Sequence, residues 1–165
     1  MDVKDLHESD ISDVDVIIHC AAIAPLPECQ KNLFKCIEQN IAMCGAISYF
    51  ATKIGCENII FFSSGAVYEG SGDRLCSETD DIDTALIYPT SKYLAEKSFS
   101  SVARTYGINV VSIRLFNLYG PWQDYFRKQP PLLGYLIKIS KEIISHCMLV
   151  KKREETIFTS MTYII

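Results

Sequence analysis

A chain of 165 residues with 48% hydrophobic side chains and a net charge of -4 has the make-up of a globular domain with a core of its own. The acidic balance offers no basic face for a nucleic-acid backbone. No apolar run approaches a signal-peptide core or a membrane span, so neither nucleic acid nor membrane is an expected partner and the cytoplasm is the expected compartment. Seven cysteines, at positions 20, 29, 36, 44, 56, 76 and 147, include no Cys-x-x-Cys and mostly fall on apolar faces, so reduced core thiols are expected and a metal site is not.

In chain order, residues 1–13 read as the end of a strand followed by a connecting loop. Val14 to Cys20 is apolar on both faces, as a strand covered by helices on each side must be. His19 is expected to pack within it, a catalytic role being the lesser reading, and the small Ala21 and Ala22 follow its end. A helix is predicted from about Lys31 to Ile54, with Leu33, Ile37, Ile41, Cys44 and Ile47 on one stripe. Phe34, Met43, Ala46 and Phe50 widen that stripe enough for two packing partners. A second strand (Asn58 to Phe62), a second helix (about Tyr88 to Tyr106) and a third strand (Asn109 to Leu115) follow. Strands alternating with helices predict an α/β fold with a parallel, doubly wound sheet, whose ligands sit at the carboxyl ends of the strands.

Two side-chain groups stand at such ends. Ser63-Ser64-Gly65-Ala66-Val67-Tyr68 follows the second strand, and Tyr88-Pro89-Thr90-Ser91-Lys92 opens the second helix. Residues four apart share a helix face, so the phenol of Tyr88 and the ammonium of Lys92 can address one small volume. A positive charge beside a phenol lowers its pKa from about 10 and fits it for proton transfer near neutral pH. A serine hydroxyl at the neighbouring strand end can orient the same substrate hydroxyl. Alone, Tyr-x-x-x-Lys is more often a solvated surface pair than a site. The acidic loop Glu69 to Asp83 between these groups carries no assigned chemistry.

Five segments in order resemble the extended short-chain dehydrogenases, in particular the NAD-dependent epimerase/dehydratase family acting on nucleotide sugars. They are Asp15-Val-Ile-Ile-His-Cys-Ala-Ala22, Asn40 in the first helix, Phe61-Phe-Ser-Ser-Gly-Ala-Val-Tyr68, Tyr88-Pro-Thr-Ser-Lys92 and Arg114-Leu-Phe-Asn-Leu-Tyr-Gly-Pro121. The resemblance covers most of residues 1–138 and implies a partial NAD(P)-binding, Rossmann-like domain there, with 139–165 a tail outside the family pattern. It implies catalytic roles for Ser64, Tyr88 and Lys92. Cofactor contacts are implied for Asp2, Val3, Cys20, Ala21, Ala22, Asn40, Tyr88 and Lys92, and substrate contacts for Ser64 and Asn117. Asn40 is also implied to support the backbone of the site. The implied cofactor is NAD, with NADP left open, and the implied partners are a nucleotide sugar and a second copy of the chain, docked through the two long helices. Gly65-Ala66 stands where sugar 4,6-dehydratases of the family place an Asp-Glu pair, so an epimerase or reductase is favoured.

The same resemblance implies an incomplete sheet lacking its first βαβ unit. Met1 to Leu6 resembles the segment beside the adenine, and no Gly-x-x-Gly-x-x-Gly turn occurs anywhere to cradle a pyrophosphate. The strand Val14 to Cys20 is then expected to present an unpaired edge. Two functional expectations follow, an NAD-dependent enzyme or a non-catalytic remnant unable to hold NAD by itself. Codons able to encode Glu155 to Tyr163 also permit, in a shifted frame, Asp-Tyr-Ile-Tyr-Ile-Asp-Asp-Leu, close to a segment the family carries there. A frame change between about Ile139 and His146 is one expectation for the tail, and a natural amphipathic tail is the other.

Overall fold

The computed structural model describes residues 11, 13–24, 26–120, 130 and 132–150, without the side chains of 142–150. It divides into two compact units, Met1–Phe116 and Asn117–Ile165. Asp2 and Val3 lie outside the described residues, as does the tail from 151 onward.

In the first unit β1 (Ile17–His19) leads to α1 (Leu26–Lys31), α2 (Leu33–Ile37), a π turn (Glu38–Ala42) and α3 (Met43–Ile54). Then come β2 (Asn58–Ser64), a 3-10 segment (Gly65–Ser71), α4 (Ile87–Tyr106) and β3 (Asn109–Leu115). The strands form a parallel sheet in the order β1-β2-β3. This is the Rossmann-like α/β arrangement the alternation predicts, in part. β1 pairs only with β2 among the described residues.

Register decides which side chains share a face. Ile17, Ile59 and Val110 are neighbours across the sheet, as are His19, Phe61 and Ser112, and Ser63 faces Arg114 two residues further along. On this face α3 and α4 supply Met43, Cys44, Ile47, Ala51, Ala95 and Phe99, which bury Ile59 and Phe61. Each large apolar side chain so buried contributes roughly 1.5–3 kcal/mol. The opposite face carries the alternate residues, and there Ile18 is 58% and Val111 56% exposed. The apolarity of β1 on both faces, which predicted helices on each side, is met by helices on one face among the described residues.

The long helix of the sequence reading is three pieces. Asn32 interrupts it by accepting the Lys35 N–H at 3.0 Å and capping α2. The π turn then rotates what precedes it relative to α3. Leu33 and Ile37 are therefore exposed, not part of the buried stripe, which runs through Cys36, Asn40, Cys44, Ile47 and Ala51. α4 and β3 match their predicted bounds within a residue, and β2 extends two residues further, to Ser64.

The second unit contains α5 (Leu132–Val150), which runs through Ile139 without a break. No helix among the described residues is long and apolar enough to cross a membrane.

Candidate active site

Ser64 is the last residue of β2, where the chain turns out of the sheet. Its Oγ accepts the Ala66 N–H at 3.2 Å and caps the 3-10 segment, leaving the hydroxyl proton free to donate. Immediately after it, Gly65 sits against the ring of Phe116, where a Cβ would come within 2.6 Å of the ring carbons. The Glu69 carboxylate reaches the other side of the loop and accepts the N–H groups of Ala85 and Leu86 at 2.7 and 2.8 Å. Those donors lie at the entry to α4, so Glu69 fixes where the helix bearing Tyr88 and Lys92 begins. Tyr88, half-buried, stands in the first turn of α4, and its carbonyl accepts the Ser91 hydroxyl at 2.7 Å.

One turn on, Lys92 is 3% exposed, with its Nζ 4.5 Å above the centre of the Phe61 ring. Burial pushes its pKa below the ordinary lysine value, opposed by the nearby Cys44, Glu96 and Cys20. His19 stacks on the same Phe61 at 5.6 Å between centroids and meets Phe99 edge-on at 6.1 Å. Its pKa is lowered to about 4, first by burial and then by the Lys92 charge. His19 is thus a packed residue, as the sequence suggests, but a neutral one beside an ammonium.

A second polar cluster, invisible to motif reading, joins the three layers of the site. Glu96, one turn beyond Lys92, receives the Ser63 hydroxyl at 2.5 Å. The same carboxylate receives Arg114 Nε at 3.0 Å and Nη2 at 2.8 Å. Arg114 Nη1 also donates to the Tyr68 hydroxyl, which in turn donates to the Ser77 carbonyl at 3.1 Å. The pairing with Glu96 drives the Arg114 pKa further above its ordinary value. The resulting clasp ties the end of β2, the first half of α4 and the end of β3 to one another. The sequence signals for it were the four-residue spacing of Lys92 and Glu96 and the alternation that puts Ser63, not Ser64, on the helix-covered face.

Asn40, 1% exposed within the π turn, accepts the Ile23 N–H at 2.8 Å and donates to the Ile23 carbonyl at 3.1 Å and to Ser91 Oγ at 3.0 Å. Its amide thereby holds the backbone just past Ala22 and, through Ser91, the Tyr88 carbonyl. Cys20, Ala21 and Ala22 are exposed between this anchor and β1. Thiols surround it: Cys29 and Cys44 are both pushed up to about 12 by burial first, and so stay protonated and unreactive. Asn117 is an exposed residue of the second unit.

A parallel α/β layer of this kind, with a serine at a strand end and a tyrosine and a buried lysine on the following helix, defines a Rossmann-like domain. The chain belongs to the NAD dependent epimerase/dehydratase family, whose sequence model matches residues 2–145. It is 33% identical over 145 residues to a dTDP-4-dehydro-6-deoxyglucose reductase of Escherichia coli, covering 86% of this chain and 45% of that protein. Among solved structures it is similar to a UDP-N-acetylglucosamine 4-epimerase of Methanobrevibacter ruminantium in complex with UDP-N-acetylmuramic acid. The TM-score there is 0.76 at 25% identity, over 81% of this chain and 44% of that one. It is also similar to a dTDP-glucose 4,6-dehydratase double mutant of Streptomyces venezuelae with NAD bound, with a TM-score of 0.71 at 26% identity, over 79% and 41%. The chain thus spans less than half the length of these relatives.

Proposed function

We propose that this chain carries the catalytic half of an NAD-dependent enzyme that passes hydride between the cofactor and a nucleotide sugar, of the epimerase or reductase type. The observation that carries the proposal is Lys92, a charged residue buried at the strand ends with the nearest carboxylate already committed to Ser63 and Arg114. A lysine enclosed in this way, with its pKa lowered by burial, points to a ligand that uses it.

The residues present fit the nicotinamide end of NAD. Lys92 would hold the nicotinamide ribose, with Cys20, Ala21 and Ala22 lining the passage beside it, while no glycine-rich turn for the pyrophosphate occurs in these 165 residues. Bound NAD would supply the hydride acceptor. Tyr88 takes the proton from the sugar hydroxyl and can return it, and Ser64 donates its free hydroxyl proton to the reacting oxygen. Asn117 is proposed as a substrate contact.

Dehydratase chemistry is disfavoured. A carboxylate at position 65 would need the space filled by the Phe116 ring, and Gly65-Ala66 offers neither acid nor base. A homodimer through the long helices is supported by the exposed Phe34, Ile37, Tyr49 and Leu94 on α2, α3 and α4.

The second reading is a chain that does not hold NAD by itself, since these 165 residues contain no glycine-rich turn. Titrating the purified chain with NADH and following nicotinamide fluorescence distinguishes the two. Saturable enhancement that Lys92→Met abolishes is expected, and a flat titration up to millimolar NADH would defeat the enzymatic reading of this chain.

A further inference from the structure

His19 carries the one buried side-chain polar atom among the described residues that has no hydrogen-bond partner, its Nε2. The ring is 5% exposed and held on two sides by Phe61 and Phe99, so it cannot swing out into bulk solvent. An orphaned nitrogen in that position costs about 1–3 kcal/mol unless something answers it.

Lys92 is the natural answer. Its ammonium stands over the ring on which His19 stacks, and it has protons to donate. The charged and titratable groups that act on it are Cys44 of α3, Glu96 of its own helix, and Cys20 and His19 of the β1 end. Cys44 already donates its thiol proton to the Asn40 carbonyl, at 3.3 Å. Glu96 is occupied by Ser63 on one oxygen and by Arg114 on both. A neutral imidazole has a lone pair on the nitrogen that lacks the proton, and so accepts a hydrogen bond without adding charge.

We infer that His19 is a positioning residue for Lys92: its Nε2 accepts a hydrogen bond from the ammonium, relayed by one water molecule, and aims that ammonium toward the carboxyl end of the sheet. The role deepens the proposed function and rests on it for its catalytic consequence. It requires the proton of the imidazole to sit on Nδ1. It also accounts for the low His19 pKa in functional terms, since a protonated ring would repel the group it serves.

The tautomer decides the matter without any appeal to activity. In the chain labelled with 15N-histidine, long-range proton-nitrogen correlation is expected to show His19 as the Nδ1–H form at neutral pH, and an Nε2–H form would overturn the inference. In the Lys92→Met variant the Nε2 resonance should shift and the ring should titrate at higher pH, and an unmoved resonance would count against the contact. The ε-carbon of Lys92 supplies the reciprocal readout. Its titration should fall further in His19→Leu and return toward the parent value in His19→Gln, whose amide oxygen can accept; equal values in the two variants would sink the role. An Nδ1–H tautomer in a chain that fails to bind NADH supports the inference and counts against the proposed function, and NADH binding with an Nε2–H tautomer does the reverse.

Discussion

Two polar clusters are buried against the same face of the sheet, and they are solved in opposite ways. At the β2–β3 end, Glu96 accepts from Ser63 and Arg114, and Arg114 reaches Tyr68, so each charge has its counter-charge. At the β1 end, Lys92 lies over an aromatic ring beside a neutral histidine with an orphaned nitrogen. A closed network fixes geometry, whereas an open one stores unfavourable energy that a ligand can release. The difference separates scaffold from site more sharply than the residue types do, since both clusters mix cations, hydroxyls and aromatic rings.

The largest effect should come from opening the closed cluster. Glu96→Leu leaves the half-buried Arg114 without its partner and the buried Ser63 without its acceptor, and should cost about 3 kcal/mol or more in urea unfolding. Adding Arg114→Met should restore much of the loss, and additive effects would show that the pair is not coupled.

The next effect is a pH dependence at the open cluster. A folded-state pKa of about 4 against 6.5 unfolded means that the unfolded chain binds the His19 proton first on acidification. The stability contributed by neutral His19 is therefore complete above pH 6.5 and is lost as pH falls toward 4, by on the order of 3 kcal/mol. Unfolding followed across that range should be steeper in the parent than in His19→Gln, and parallel curves would remove His19 as the cause.

The smallest effect lies at the alkaline end of the same dependence. Because burial lowers the Lys92 pKa, the unfolded state holds this proton more tightly, and stability rises as pH is raised toward the ordinary lysine range. Lys92→Met removes that titration, so the rise above neutral pH should flatten, while NADH binding is abolished. An unchanged rise would remove Lys92 as its cause, and with it the contrast between the two clusters.

Much of the scaffold was legible because it follows periodicity. β2, α4 and β3 each show one pattern from end to end, and their bounds came out within a residue or two. The Tyr88/Lys92 spacing and Ser64 at a strand end were likewise readable as local facts. What could not be read depends on alignment between distant elements. The clasp exists because strand register sets Ser63 opposite Arg114 and α4 crosses above them, and no local pattern encodes that pairing. The buried stripe was misjudged for the same reason in miniature, since Leu33 and Ile37 fit an unbroken helix that the chain does not form.

The π turn at Glu38–Ala42 can also be regarded as a helix carrying one surplus residue. In an α-helix one residue is a rotation of about 100°, so the surplus acts as a fixed phase offset between α2 and α3. That offset lets a single stretch of chain present the apolar stripe of α3 to the sheet while its Asn40 side chain points back to Ile23. Removing one residue there would leave a more regular helix and a worse protein. Either the asparagine would lose the backbone it holds, or the stripe would lose the sheet. Of all positions in the helix, these five are where chain length, and not side-chain chemistry, carries the information.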